Sequence, residues 1–187
     1  MNARSAARRA HRLPGDPLPA EAVARIIRVD HAGEYGAACI YDGQLAVLRR
    51  SRSAGAIRAM AEQERRHLAA FERLVVARRI RPTLLTPLWH AAGFALGAAT
   101  ALMGERAAMA CTVAVEEVID AHYAGQSEAL EEGEKALRAT IEEFREDELE
   151  HRATAIAHGA RDLLGYELLS STIKAGARLA IWLSTRI

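Results

Sequence analysis

An all-α fold is predicted for this chain by three observations. Apolar residues recur with a helical period over long stretches, as at Ile57, Met60, Leu68, Phe71, Leu74 and Val75. Alanine, the strongest helix former, is abundant, while aromatic residues make up only 5%. The Ser/Gly-containing stretch over residues 51–55 and the prolines Pro82 and Pro87 read as breaks between helices. At 187 residues the chain is expected to build one domain over residues 21–187, with enough length for a single core.

The first helix is expected over residues 19–50. Gly33, Gly36 and Gly43 weaken it locally, and three glycines in one helix indicate close approach of a neighbouring helix or a ligand. A link over residues 51–55 leads to a second helix that ends near Arg79. Pro82 and Pro87 then break the helical pattern. Residues 82–104 contain no Asp, Glu, Lys or Arg. The length suits a membrane span, but two prolines and many Ala and Gly residues argue for a helix lying in the bilayer interface. The alternative is a helix buried in the protein. Gly93 and Gly97 form a small-xxx-small pair that permits helix–helix contact, a pattern any Ala/Gly-rich segment produces easily. A third bundle helix is expected over residues 105–132, closed by Gly133, and a fourth over residues 134–158. The last helix, residues 166–187, combines Leu168, Leu169, Ile173, Ile181 and Trp182 with Lys174, Arg178 and Arg186. Such a basic amphipathic helix reads as membrane-surface binding, or as a helix packed on the bundle.

The formal net charge is +1, so no overall field would recruit nucleic acid. Arg4, Arg8, Arg9 and Arg12 make residues 1–20 a basic arm, expected to be disordered; a short mitochondrial presequence is the alternative. No secretory signal is visible. Cys39 and Cys111 form no CxxC, which argues against a redox dithiol or zinc ribbon, and both sit in apolar helical surroundings.

The chemistry is carried by two Glu-x-x-His pairs. Glu64 pairs with His67 and Glu148 with His151, and each pair follows a lone glutamate, Glu34 or Glu116, by 30 and 32 residues respectively. Residues three apart share one helix face, so each pair can grip one ion. One Glu from each of two helices, plus Glu-x-x-His from each of two others, is the ligand set of a carboxylate-bridged di-metal site in a ferritin-like four-helix bundle. Glutamate supplies hard oxygens that bridge, histidine a nitrogen that suits iron, and four carboxylates neutralise two divalent ions. Helix with Glu, helix with Glu-x-x-His, then both again, reads as a duplication. The pairs alone are weak evidence in a chain so rich in Glu; the matched lone glutamates strengthen them.

Neighbouring residues leave choices open. Glu116 and Glu117 are adjacent, and only one can point into the bundle, since they diverge by about 100°. Glu62, Glu142, Glu143, Glu146 and Glu150 read as a solvated face. His31 reads as a partner of a ligand, a cap or a surface histidine. His122 and Tyr123 read as hydrogen-bond partners of the site or as structural residues. His11, His90 and His158 read as structural or surface residues.

The segment Arg28-Val29-Asp30-His31-Ala32-Gly33-Glu34-Tyr35-Gly36-Ala37 resembles the first-helix motif of the demethoxyubiquinone hydroxylases, di-iron monooxygenases of ubiquinone biosynthesis. Arg81-Pro82-Thr83, Pro87-Leu88-Trp89, Gly93-Phe94-Ala95-Leu96-Gly97, Ala110-Cys111-Thr112-Val113-Ala114-Val115-Glu116-Glu117, Glu148-Leu149-Glu150-His151 and Ala180-Ile181-Trp182-Leu183-Ser184 are also similar to that family. The resemblance covers residues 21–187. It implies two Fe ions held by Glu34, Glu64, His67, Glu116, Glu148 and His151, and so chooses Glu116 over Glu117. The implied reaction hydroxylates the benzoquinone ring of a polyprenylated demethoxyubiquinone-type precursor. O2 is the co-substrate, with one oxygen entering the ring and the other leaving as water, and NADH is the expected electron source.

The lipid-soluble substrate accounts for additional hydrophobic and amphipathic membrane-associating helices around the bundle. Gly33 and Gly36 are expected to leave room for the ring beside the metals. Implied partners are the polyprenylated quinone, a lipid membrane surface and other ubiquinone-biosynthesis proteins, including a lipid-binding accessory protein. The expected place is peripheral, on the cytoplasmic face of a bacterial inner membrane, with the matrix face of the mitochondrial inner membrane as the alternative. Two rival functions use the same features: a ferritin-like iron-oxidising or peroxide-scavenging protein, and a membrane-bound scaffold with a vestigial metal site. The uncharged stretch argues against the first, and the intact six ligands against the second.

Overall fold

A computed structural model describes residues 19–187; the basic arm and His11 lie outside the described residues, apart from the arm's last two positions, which are helical. Among the described residues six helices follow in order: α1 (Pro19–Leu48), α2 (Ala54–Ala77), α3 (Thr86–Leu102), α4 (Glu105–Ala129), α5 (Lys135–Ala157) and α6 (Tyr166–Ser184). Short 3-10 turns at Glu132–Glu134 and Ala160–Asp162 complete the set, and no strand occurs among the described residues. This is the predicted ferritin-like bundle: α1, α2, α4 and α5 enclose the core, with α3 and α6 outside.

Packing divides the chain into two like halves. Helix α1 packs on α2 and α3, and α4 packs on α5 and α6. The duplication read from the sequence thus extends to a third helix in each half. Apolar side chains form two layers with a polar layer between them. Tyr41, Ile57, Met60, Met109, Val113 and Ala155 form one layer, and Ile27, Phe71, Tyr123, Leu137, Ile141 and Phe144 the other. On α1 these layers bracket Glu34, on α2 Glu64 and His67, on α4 Glu116, and on α5 Glu148 and His151. Cys39 and Cys111 are buried and unbonded to each other, as expected for small core residues.

The uncharged stretch folds as α3 and lies on α1. Gly93 and Gly97 face α1 so closely that an added Cβ would meet the Gly36 carbonyl oxygen at 2.8 Å and the Ile40 carbonyl oxygen at 1.9 Å. Gly43 returns the contact from α1 toward the Phe94 carbonyl oxygen. The small-residue pair therefore serves helix packing within the chain. Leu88, Phe94 and Leu102 on the outer side are exposed. Among the described residues no helix is long and apolar enough to cross a membrane.

Two boundaries differ from the sequence reading. Helix α4 ends at Ala129, before Gly133, because Leu130 turns to extended backbone at ψ 136°. The side chain of Arg138 from α5 donates to the carbonyls of Ser127 and Leu130, satisfying acceptors that the helix end leaves open. Helix α6 stops at Ser184, whose hydroxyl accepts a bond from the Trp89 indole on α3 at 3.1 Å. Lys174 does not project freely from α6: it pairs with Glu117 on α4.

Candidate metal centre

The six predicted ligands converge in the polar layer, and all six are at most 2% exposed. They form two overlapping groups. Glu34, Glu64, His67 and Glu148 bring ligand atoms within 4.8 Å of one another, and so do Glu64, Glu116, Glu148 and His151. Glu64 and Glu148 belong to both groups, which suits them to bridge two ions. Burial separates the adjacent pair: Glu116 is 1% exposed and points into the bundle, while Glu117 faces outward to Lys174. The decoys Glu62, Glu142, Glu143, Glu146 and Glu150 are exposed or only half-buried, outside the ligand layer.

Both histidines turn the same atom inward. His67 Nδ1 lies 3.4 Å from Glu34 Oε2 and from Glu148 Oε1. His151 Nδ1 lies 3.0 Å from Glu148 Oε2 and 3.2 Å from Glu64 Oε1. Several inward atoms make no hydrogen bond, among them both Glu64 oxygens, Glu34 Oε2, Glu116 Oε2, Glu148 Oε1 and His67 Nδ1. Buried polar atoms without partners are costly, and here they all face one volume. Hard oxygens and imidazole nitrogen in this number fit a pair of divalent first-row metals.

The electrostatics agree. Burial, then the charges of Glu148, Glu34 and Glu116, push the Glu64 carboxyl well above its usual range. Burial and Glu148 do the same to Glu116. Glu148 moves the other way, to about 2: burial opposes its charge, but the hydrogen bond with His151 and the closeness of His67 outweigh that. Burial also opposes charge on His67, yet Glu148 and Glu34 raise it to about 10. Burial and mutual repulsion thus disfavour charge on Glu64 and Glu116, a penalty that a divalent cation would relieve. Filling the site at 100 times its dissociation constant should stabilise the fold by about 2.7 kcal/mol per ion. The expected rise in Tm on adding Fe(II) or Mn(II) to metal-free protein is roughly 5–11 °C for the first ion, read by calorimetry.

The other singled-out residues are placed as follows. The Tyr123 hydroxyl donates to Glu34. Burial and the Glu34 charge raise its pKa well above 10.0, which keeps it a donor. His122 touches no ligand; its Nε2 lies 2.8 Å from Gln126 Nε2 and 3.6 Å from Asp30 Oδ1. Gln126 donates to Asp30 Oδ1 at 2.6 Å, and burial lifts Asp30 to about 6 against the pull of His122 and Gln126. His31 is buried without bonding a ligand, and burial lowers its pKa. His90 bonds Tyr35 and Cys39, and His158 bonds Ser53.

Four contacts went unread in the sequence. Tyr41 donates to Glu116 Oε1 at 2.8 Å. Gln44 donates to Thr112 Oγ1 at 3.5 Å. Asp147 Oδ2 lies 2.9 Å from His67 Nε2, and Gln63 Oε1 lies 3.3 Å from His151 Nε2. A signal was present. Tyr41 and Tyr123 each stand seven residues after a lone Glu, Gln44 and Gln126 each stand ten after, and Gln63 and Asp147 each precede a paired Glu. Every one of these residues contacts the opposite half, so the duplication is an exchange of partners across the seam.

Beside this layer runs an apolar cavity of about 340 Å³, walled by α1, α3, α4 and α6. Gly33 and Gly36 from α1, Trp89 and Leu96 from α3, Val115 from α4 and Ile173 from α6 are among its lining residues. A Cβ added at Gly33 or Gly36 would meet nothing within 4 Å. The cavity lies between the two helices that carry the lone glutamates and reaches the two outer helices.

An all-α bundle with a buried set of four glutamates and two histidines able to hold metal defines a ferritin-like protein of the carboxylate-rich class. The chain belongs to a particular family of that class: residues 21–184 match the model of the family described as Ubiquinone biosynthesis protein COQ7. A 3-demethoxyubiquinol 3-hydroxylase of Rhodospirillum rubrum is 60% identical over 177 residues, covering 94% of this chain and 84% of that protein. The human NADPH-dependent 3-demethoxyubiquinone 3-hydroxylase, mitochondrial, is 52% identical over 176 residues, covering 92% and 81%. The 5-demethoxyubiquinone hydroxylase, mitochondrial, of Saccharomyces cerevisiae is 45% identical over 180 residues, covering 87% and 77%.

Proposed function

We propose that Glu34, Glu64, His67, Glu116, Glu148 and His151 hold two iron ions, and that with them this chain hydroxylates the ring of a polyprenylated demethoxyubiquinone-type quinol. The observation that carries the reading is the pair of four-residue groups sharing Glu64 and Glu148, set beside an apolar cavity. Family membership and the names of the relatives support the ring chemistry. When bound, iron supplies the reduction of O2 that ring hydroxylation needs. The chain's own residues do the rest. Tyr41 and Tyr123 hold Glu116 and Glu34 in place, while the cavity wall seats the ring, excludes water and leaves the tail among apolar side chains.

The rival functions lose ground. An iron-oxidising or peroxide-scavenging protein has no use for an apolar cavity beside its metals, and a scaffold has no use for six buried ligands. Metal analysis of the purified protein, with quinone profiling of a host lacking its own hydroxylase, tests the reading. Two irons per chain and restored methoxylated quinone are expected; persistent accumulation of the lighter precursor by iron-loaded protein would overturn it.

Gly33 and Gly36 are assigned to the substrate pocket. Gly36→Leu should fill part of the cavity and lower both quinone binding and hydroxylation while both irons stay bound. Normal turnover by an iron-replete Gly36→Leu protein would place the ring elsewhere.

Electrons come from a nicotinamide nucleotide. The sequence reading favours NADH, whereas the human relative is named NADPH-dependent; oxidation of each by the iron-loaded protein with quinone decides between them. We place the protein peripherally on the cytoplasmic face of a bacterial inner membrane. The matrix face is the alternative, as human and yeast relatives are named mitochondrial. Exposed Leu88, Phe94, Leu168, Leu179 and Trp182 on α3 and α6 support attachment to lipid, and ubiquinone-biosynthesis proteins, a lipid-binding accessory protein among them, are the expected partners there. With Lys174 engaged by Glu117, Arg178 and Arg186 are left to attract anionic headgroups, by on the order of 1 kcal/mol each. Flotation with anionic liposomes should weaken at high salt without vanishing. A protein that stays unbound at low salt would refute the attachment.

A further inference from the structure

The exchange of partners across the seam matches in kind at the tyrosines and the glutamines, but it fails behind the histidines. His67 presents Nε2 to a carboxylate oxygen of Asp147 at 2.9 Å. Its counterpart His151 presents Nε2 to the amide oxygen of Gln63 at 3.3 Å. Both histidines turn Nδ1 to the carboxylate cluster, so Asp147 and Gln63 occupy equivalent places behind equivalent histidines. A second break falls on the same side. Asp30, four residues before Glu34, stands where Thr112 stands before Glu116, and each is contacted by the glutamine of the other half.

From this mismatch we infer that the two metal positions are unequal, with Asp147 acting as the positioning residue that makes the ion at His67 the more tightly held and more electron-rich of the pair. The inference rests on the reading that the six residues hold two ions. A hydrogen bond to a carboxylate is shorter and stronger than one to an amide, and it passes more electron density through the imidazole to the ion. Asp147 is 30% exposed at its side chain, so water weakens the effect without removing it. Gln63 can orient His151 but adds no charge. An ion pair built this way carries a standing polarity, with the Glu34–His67 side the easier to oxidise.

The test compares wild type, Asp147→Asn and Gln63→Glu, each titrated anaerobically with Fe(II), with the occupied sites read by Mössbauer spectroscopy and helical content by circular dichroism. Wild type should bind two ions in unequal steps and show two distinct iron signals. Asp147→Asn should weaken the tighter step by roughly 10–100-fold, leave the other step in place and draw the two signals together. Gln63→Glu should tighten the weaker step alone. His67→Gln should remove the step that Asp147→Asn weakens. Two equal steps in wild type, or equal loss from both steps in folded Asp147→Asn, would overturn the inference and leave the two-ion reading standing. Wild type that binds fewer than two ions would instead overturn that reading, and the inference with it.

Discussion

Glu148→Ala should be without detectable hydroxylation while the bundle stays helical. Glu148 belongs to both ligand groups and faces both histidines, so its loss opens both metal positions together. The loss of turnover should exceed the roughly 10–100-fold that follows removal of a partner behind a ligand. Fold retention is expected because Glu148 sits between two apolar layers that hold the four bundle helices without it. The neighbouring surface change Glu150→Ala, on the same helix but exposed, should leave both iron content and rate near wild type. Hydroxylation by Glu148→Ala at the wild-type rate would sink the ligand assignment.

Gly97→Val should produce the largest loss of stability. A Cβ there would stand 1.9 Å from the Ile40 carbonyl oxygen and 3.0 Å from the Gln44 backbone nitrogen. Both are main-chain atoms inside α1, so no rotamer change relieves the clash. Overpacking commonly costs about 1–3 kcal/mol and more where backbone must move. A cost of at least ~3 kcal/mol corresponds to a fall in Tm of roughly 6–12 °C for a chain of this size, read by thermal denaturation. Gly125→Ala supplies the contrast. A methyl added there on α4 would meet nothing within 4 Å, and helix propensity alone predicts a gain of roughly 0.5–1 kcal/mol. Equal effects at the two glycines would contradict the close α1–α3 packing.

The convergence of the six side chains was legible in the sequence because each constraint on them is local. Glu64 with His67, and Glu148 with His151, share a helix face through the helical period alone, and the lone glutamates announce themselves by matched distance. The partners of those side chains were harder to see. Asp147 belongs to α5 but serves a histidine of α2, and Tyr41 belongs to α1 but serves a glutamate of α4. No periodicity along one helix reveals a contact across a seam. The fate of residues 82–104 was open for a related reason. Composition shows that such a segment seeks apolar surroundings, while only the glycine contacts with α1 show that one face finds them inside the protein. The end of α4 was misjudged because Gly133 is a strong stop signal, whereas the actual stop depends on an arginine eight residues beyond Leu130.

Neither half of this molecule owns a complete four-residue group. The group at His67 takes Glu148 from the second half, and the group at His151 takes Glu64 from the first. The chain passes between the halves through Met103 and Gly104 alone, and Gly104 adopts φ 110°, open to glycine and rarely to other residues. A pair of ions held by these residues would therefore be a fastener as well as a reagent, tying two three-helix leaves that are joined in sequence by one short link of backbone. Metal held there would add to a joint that the two apolar layers already close, so resistance to proteolysis is expected to rise with metal loading and not to depend on it outright.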